Sequence, residues 1–290
     1  MKNDEQIKEL VKEKYTAIAS QSQEQNQSSC CGATSSCCGT DATGEQVYNI
    51  MSEDYTKMEG YQPEADLGLG CGLPTEYAKI KEGDTVIDLG SGAGNDCFIA
   101  RRLTGDAGKV IGIDFTTAMI DRARINTTKL GFNNVEFRQG DIEDMPVTSN
   151  LANVVVSNCV LNLVPNKHKV FSEIYRVLTP GGHFSISDIV LEGELPSKWK
   201  EVAELYAGCV SGAIQKSEYL SIIEEAGFVN MTIQKNKPII IPDDILANYV
   251  SAEDIQLYKK GGMKITSITV YAEKPAKDDR NCCEPGSGCC

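Results

Sequence analysis

Histidine is scarce in this 290-residue chain, with two residues, His168 and His183. Proton transfer in catalysis most often relies on histidine, and neither one sits where it would serve. His168 falls in a helical pattern and His183 at the start of a strand, so both read as structural. Basic residues are also few, 28 against 41 acidic ones, which leaves a formal net charge of −13. A nucleic-acid partner needs a basic face and is therefore not expected. No apolar run is long enough to cross a bilayer. The opening stretch, MKNDEQIKEL, is polar and does not read as a secretory leader. A cytoplasmic monomer is the expectation. Hydrophobic content of 41% with 24% charged residues fits one globular domain with small additions.

Against these shortages stand twelve cysteines. A chain this long does not need disulfide staples, and a reducing compartment would not keep them closed. Cysteines in such number suggest metal, metalloid or redox chemistry. Cys30-Cys31 and Cys37-Cys38 form a CC-x5-CC unit, and Cys282-Cys283 and Cys289-Cys290 repeat it near the other end.

Ile7, Leu10, Val11, Lys14, Tyr15 and Ile18 follow helical spacing. A Ser-, Gln- and Gly-rich loop with the first four cysteines comes next. From Thr85 onward, strand and helix patterns alternate: TVIDLG, NDCFIARRL, KVIGID, TAMIDRARINTTKLGF, VEFRQGD, NVVVSNCV, KHKVFSEIYRVL, GGHFSISDIV. Such alternation predicts a doubly wound α/β fold with a mostly parallel sheet. A further helix pattern, KSEYLSIIEEAGF, and two final strands, NMTIQKN and KITSITVYAEK, complete it. We divide the chain into an N-terminal helix with a Cys-rich loop (1–62), a ligand-binding core (63–190), a sheet-completing C-terminal region (191–274) and a Cys-rich tail without a core pattern, expected to be disordered (275–290).

The stretch VIDLGSGAGND ends the first strand and opens a helix, with Asp88, Gly90, Ser91, Gly92 and Gly94 in the turn. Glycines let the backbone turn tightly and approach a ligand. Alone, the motif also fits a nicotinamide site or a bare tight turn. The spacing of the glycines, the Asp inside the strand, and Asp114 at the end of the next strand favour another donor. The combination resembles the class I methyltransferases that use S-adenosylmethionine. That resemblance implies that Asp114 holds ribose hydroxyls and that Asp141 and Ile142 lie at the adenine edge. Asn158 is expected to hydrogen-bond the donor, with a strand-end cap as the alternative.

Where a proton-moving acceptor site would need a base, the strand ends offer thiols. Cys159 follows the fourth strand, Cys71 lies in a glycine-flanked loop, and Cys209 is bracketed by small residues in YAGCVSGA. Thiolates select soft ions. Zinc would close them into a tetrahedron and leave a thiol beside a methyl donor without purpose. Trivalent arsenic, with a lone pair of its own, fits better. Cys97, inside a helix, reads as core packing.

The stretches DLGLGCGLPTEYA, TVIDLGSGAGNDCF, VVVSNCVLNLVPNK, VLTPGGHFSISDIV and LYAGCVSGA all resemble arsenite S-adenosylmethionine methyltransferases. The resemblance runs from about Asp66 to Ala213, in order. It implies that Cys159 and Cys209 bind As(III), with Cys71 as a third thiol of the site that joins one nearer the N-terminus in redox work. Cys30, Cys31, Cys37 and Cys38 all compete for that partner role. The implied cofactors are S-adenosylmethionine and a thiol reductant of the thioredoxin or glutathione type, and the implied partner is arsenite or its thiol adducts. Two alternatives remain: a carbon methyltransferase of the quinone or sterol type, and a thiol-rich metalloid buffer.

Overall fold

Val154, Val155 and Val156 point alternately to the two faces of a sheet, and both faces are covered. Val155 packs with Ile87, Leu89, Ile111 and Ile113 in one core cluster. Val154 and Val156 pack with Val86 and Val110 in another. Side chains alternate along a strand, so an unbroken apolar run marks a strand buried on both sides.

The computed structural model describes residues 4–20, 53–193, 212–239, 247, 250–260 and 264–276. Among them one sheet holds β1 (Thr85–Leu89), β2 (Lys109–Asp114), β3 (Val135–Gln139), β4 (Ala152–Asn158), β5 (Leu178–Glu192), β6 (Val229–Ile239) and β7 (Lys264–Glu273). The strand order is β3-β2-β1-β4-β5-β7-β6. Neighbours from β3 through β5 run parallel, whereas β7 lies antiparallel between β5 and β6. The boundary drawn from sequence at residue 190 falls inside β5, so the C-terminal region adds strands to the same sheet.

The helices are α1 (Asp4–Ser20), α2 (Pro74–Tyr77), α3 (Asn95–Thr104), α4 (Thr117–Leu130), α5 (Lys167–Val177), α6 (Lys216–Glu225) and α7 (Ala252–Lys260). Pro74 opens α2 at a first-turn position, where its missing N–H costs nothing. Apolar positions of α5 and α6, including Phe171, Ile174, Tyr219 and Ile223, cover one face of the sheet. Phe98 of α3 and Ile120 and Ala123 of α4 cover the other. Truncating a fully buried phenylalanine such as Phe98 would cost about 3–5 kcal/mol.

Strand order reverses between β1 and β4. In open α/β sheets, that switch point leaves a crevice at the carboxyl ends of the strands. Helix α1 closes one side of it. Its Val11 and Ile18 are buried, the Arg122 guanidinium of α4 donates to the Ala19 carbonyl at 3.2 Å, and Lys8 pairs with Asp141 at 2.6 Å and with Glu143.

Candidate active site

A cleft open to solvent lies at the switch point. Asp88, Gly90, Ser91, Gly92, Asp114, Asp141, Ile142, Asn158 and Cys159 all line it. The first three strand ends thus converge with the fourth, although more than sixty residues separate Asp88 from Asn158. Gly94 is not among the lining residues; it starts α3 in a left-handed conformation with φ +101°.

One wall belongs to the glycine turn. Gly90 has φ +64°, and a Cβ there would lie 2.4 Å from the Val160 side chain. Asp114 accepts from the Thr116 N–H at 2.8 Å and the Gly92 N–H at 3.0 Å, so the second strand's acid braces the turn. Burial raises the Asp114 carboxyl above its usual range, opposed by those backbone donors. Asp88 is buried and accepts from the Cys97 thiol at 3.2 Å. Burial, then the neighbouring Asp96, pushes its carboxyl well up.

Three buried polar atoms of cleft-lining residues, Ser91 Oγ, Asn95 Oδ1 and Thr116 Oγ1, have no hydrogen-bond partner. Buried polar atoms in folded proteins are nearly always satisfied, so such orphans facing a cleft call for a ligand. Among the described residues the lining also contains five aspartates, Asp66, Asp88, Asp96, Asp114 and Asp141, against one basic residue, Lys8. A polar ligand carrying positive charge fits this wall, as a sulfonium nucleoside does.

The other wall carries sulfur. Cys159 lines the cleft just beyond β4 with a backbone φ of +61°. A non-glycine residue in that region costs about 1–2 kcal/mol. Its N–H donates to the Ser187 carbonyl at 2.8 Å, which holds the turn in place. Cys71 is fully buried and shares an apolar cluster with Cys159, Leu163, Ile189 and Ala213. Glycines on both sides of Cys71 allow this approach. A Cβ on Gly70 would lie 2.5 Å from Asn158 Nδ2, and one on Gly72 would lie 2.4 Å from Ser187 Oγ.

Asn158 ties the two thiol-bearing segments together. Its Oδ1 accepts from the Cys71 N–H at 3.0 Å and the Gly72 N–H at 3.3 Å, and its Nδ2 donates to the Gly72 carbonyl at 2.8 Å. The sequence gives reason to expect a donor ligand or a strand-end cap here. In the structure Asn158 lines the cleft, and its amide also engages a loop 86 residues away in the chain. Cys209 lies outside the described residues, as do Cys30, Cys31, Cys37, Cys38 and the tail cysteines. The nearest described residues beyond Cys209 reach this wall: Lys167 donates to the Gly212 carbonyl at 3.0 Å, and Ala213 packs in the thiol cluster.

Several cleft residues carry no signal in the sequence. Lys8 and Tyr15 reach the cleft from α1, and Tyr55 from a short turn ahead of the core. Asp96 had a weak one, an acid in the first turn of the helix that follows the glycines. It is buried and accepts from Tyr55, Asn158 and Thr75. His168 and His183 are both remote: the first lies 3.7 Å from Glu225, and the second contacts the Ala78 carbonyl at 2.6 Å.

Strand order, glycine turn and acid-lined cleft together define a class I S-adenosylmethionine-dependent methyltransferase. Residues 80–227 match the family described as a methyltransferase domain. The arsenite methyltransferase of Halobacterium salinarum is 39% identical, over 96% of this chain and 69% of that protein. That of Aquipseudomonas alcaligenes is 32% identical, over 82% of this chain and 67% of its own length. Among solved structures, CrArsM, an arsenic (III) S-adenosylmethionine methyltransferase from Chlamydomonas reinhardtii, superposes with a TM-score of 0.61 at 34% identity, covering 71% of this chain and 68% of that one. The chain belongs to the arsenite methyltransferase family. Among its described residues no helix is long and apolar enough to cross a membrane.

Proposed function

We propose that this enzyme transfers methyl groups from S-adenosylmethionine to trivalent arsenic held by Cys159 and Cys209, with Cys71 as a third thiol. The observation that carries this reading is the pairing of Cys71 and Cys159 in one buried cluster, with Cys159 facing the acid-lined cleft. Ser91, Asn95 and the Gly92 backbone hold the donor, Asp114 and Asp141 hold its hydroxyls and base, and the aspartates favour its positive charge.

Bound S-adenosylmethionine supplies an electrophilic methyl on a sulfonium. The thiols do the rest. Each thiol that captures arsenite gives its proton to a departing hydroxide, so one As–S bond forms and one water leaves. No separate base is consumed, which suits a cleft without histidine. The strained turn at Cys159 and the Asn158 clamp on Cys71 fix the arsenic so that its lone pair faces the donor wall. Such positioning supplies about 7–11 kcal/mol in favourable cases. Leu163 packs in the thiol cluster, and Val164 and Met119 also line the cleft.

Methylation at the lone pair raises arsenic formally from As(III) to As(V). Two thiols restore As(III) by giving up two electrons and closing a disulfide, and an external dithiol of the thioredoxin or glutathione type reopens it. Cys71 and one of Cys30, Cys31, Cys37 and Cys38 suit that step. We place the reaction in the cytoplasm, on a monomer, with arsenite or its thiol adducts as substrate.

The experiment is turnover with donor, a dithiol and either arsenite or a demethylated quinone, reading S-adenosylhomocysteine and methylated product. Arsenite is expected to be methylated and the quinone not. Turnover of the quinone alone would overturn the reading.

A further inference from the structure

Helix α1 presents one stripe to the site. Lys8, Val11, Tyr15 and Ile18 recur at spacings of three and four, so they share a helix face. Val11 is buried in the cluster that holds Cys71 and Cys159, and Ile18 in the one that holds Ala93 of the glycine turn and Met119. Tyr15 lies between them, packs on both clusters and lines the cleft. One helix thus spans the thiol wall and the donor wall.

Its fastenings are few. Two of its 17 residues, Val11 and Ile18, are buried. At its start, Lys8 pairs with Asp141 at 2.6 Å and with Glu143, whose carboxylate also accepts from the Asn166 N–H at 2.9 Å. At its end, Arg122 donates to the Ala19 carbonyl at 3.2 Å and to the Glu64 carbonyl at 3.4 Å. Isolated helices of this length are marginal in water, and elements with few buried apolar contacts open well before a core sheet does. With α1 seated, Cys71 is 0% exposed and Cys159 3%, so arsenite cannot reach both thiols unless something packed on them moves. Among the described α-helices, α1 is the one that both packs on this cluster and lines the cleft.

We propose that α1 is the gate of the active site: it lifts from both walls to admit arsenite and to let the spent donor leave, and it closes when Lys8 seats on Asp141 and Glu143. The latch reaches both walls. Asp141 lines the donor cleft, and Asn166, held by Glu143, ends the turn that follows Cys159. A lid of this kind completes a site and keeps water out, and its opening can set turnover. Lys8 and Val11 are positioning residues in this scheme. The donor half of the gate stands on the cleft alone; the arsenite half rests on arsenic binding at Cys159.

The test is hydrogen exchange of the full-length reduced protein, read by mass spectrometry on peptides of α1 and of β4. It is run without ligand, with sinefungin, an unreactive donor analogue, and with sinefungin and arsenite together. Without ligand, α1 is expected to exchange at least about 100-fold faster than β4. Sinefungin is expected to slow α1 about tenfold and arsenite to slow it further, while β4 stays within about twofold. Lys8→Met is expected to lose most of that slowing and to release S-adenosylhomocysteine about 5–10-fold faster in stopped flow, with Lys8→Arg close to the parent. A helix that merely stabilises the fold would exchange as slowly as β4 and ignore both ligands. That result, or unchanged release from Lys8→Met, overturns the gate. Slowing by arsenite that persists in Cys159→Ser would overturn the arsenic-site assignment instead and leave the donor half standing.

Discussion

Cys97 and Cys159 are both buried and both follow a strand, yet Cys159 lines the cleft and Cys97 does not. Cys97 sits within α3, and its thiol donates a hydrogen bond to Asp88. Burial and the adjacent Asp88 charge push its thiol well up, so it stays protonated and packs. Cys159 sits on a left-handed turn, lines the cleft and meets a second thiol in an apolar cluster. Chemistry follows from the strand end a cysteine occupies. The same contrast holds for the walls. The donor wall is built mostly within one stretch, Asp88 to Asp114. The thiol wall draws on Cys71, Asn158, Ser187 and Ser267, whose hydroxyl donates to the Cys71 carbonyl at 2.7 Å.

The contrast between the cysteines breaks hardest at Cys159. Cys159→Ser is expected to lower arsenite turnover by about 100-fold or more while S-adenosylhomocysteine affinity stays within about threefold. Steady-state rates and calorimetry check both halves. A smaller effect distinguishes the walls. Gly72→Ala drives a methyl into Ser187 and is expected to cut turnover about tenfold with donor affinity nearly intact. Gly90→Ala, strained at φ +64° and pressed on Val160, is expected to weaken the donor first. Equal effects of the two on both ligands would dissolve the division into walls.

Cys71→Ser tests whether the buried thiol serves every round. Methylarsenite already carries one carbon and needs fewer sulfurs. The variant is expected to lose about fivefold more rate with arsenite than with methylarsenite as substrate. Equal losses would make Cys71 structural.

Below the thiols, burial raises the Asp188 carboxyl to about 7 against the opposing Lys167 charge. Its folded value lies above the unfolded one, so its stabilising contribution is complete below about pH 4 and lost as pH rises toward about 7. Asp188→Asn is therefore expected to match the parent at pH 4 and to melt higher at pH 8, by at most about 4 kcal/mol of stability. Melting curves across that range that stay parallel would contradict it. The smallest effect belongs to Cys97→Ala, expected to cost about 1 kcal/mol of stability and to leave turnover within about twofold.

How much of this was legible beforehand depended on chain distance. The valine run of β4, the glycine turn at β1 and the alternation of strand and helix are local patterns, and the structure follows them. Cys159 was readable because a thiol after a strand end needs a reason. Tyr55, Lys8 and Asp96 act through partners 17 to 135 residues away, which no local pattern encodes. Asn158 stands between these cases. Its place at the strand end pointed to a polar role, but its partner loop could be identified only in three dimensions.

The central claim is that the donor's methyl passes to arsenic at the thiol wall. The most direct measurement is a single turnover of the full-length reduced protein with a methyl-labelled donor, equimolar arsenite and a dithiol, followed by arsenic speciation. The account predicts that the label lost from the donor is recovered on arsenic. Donor consumed with the label on anything but arsenic, or arsenite returned unchanged by an enzyme that binds both ligands, would contradict it.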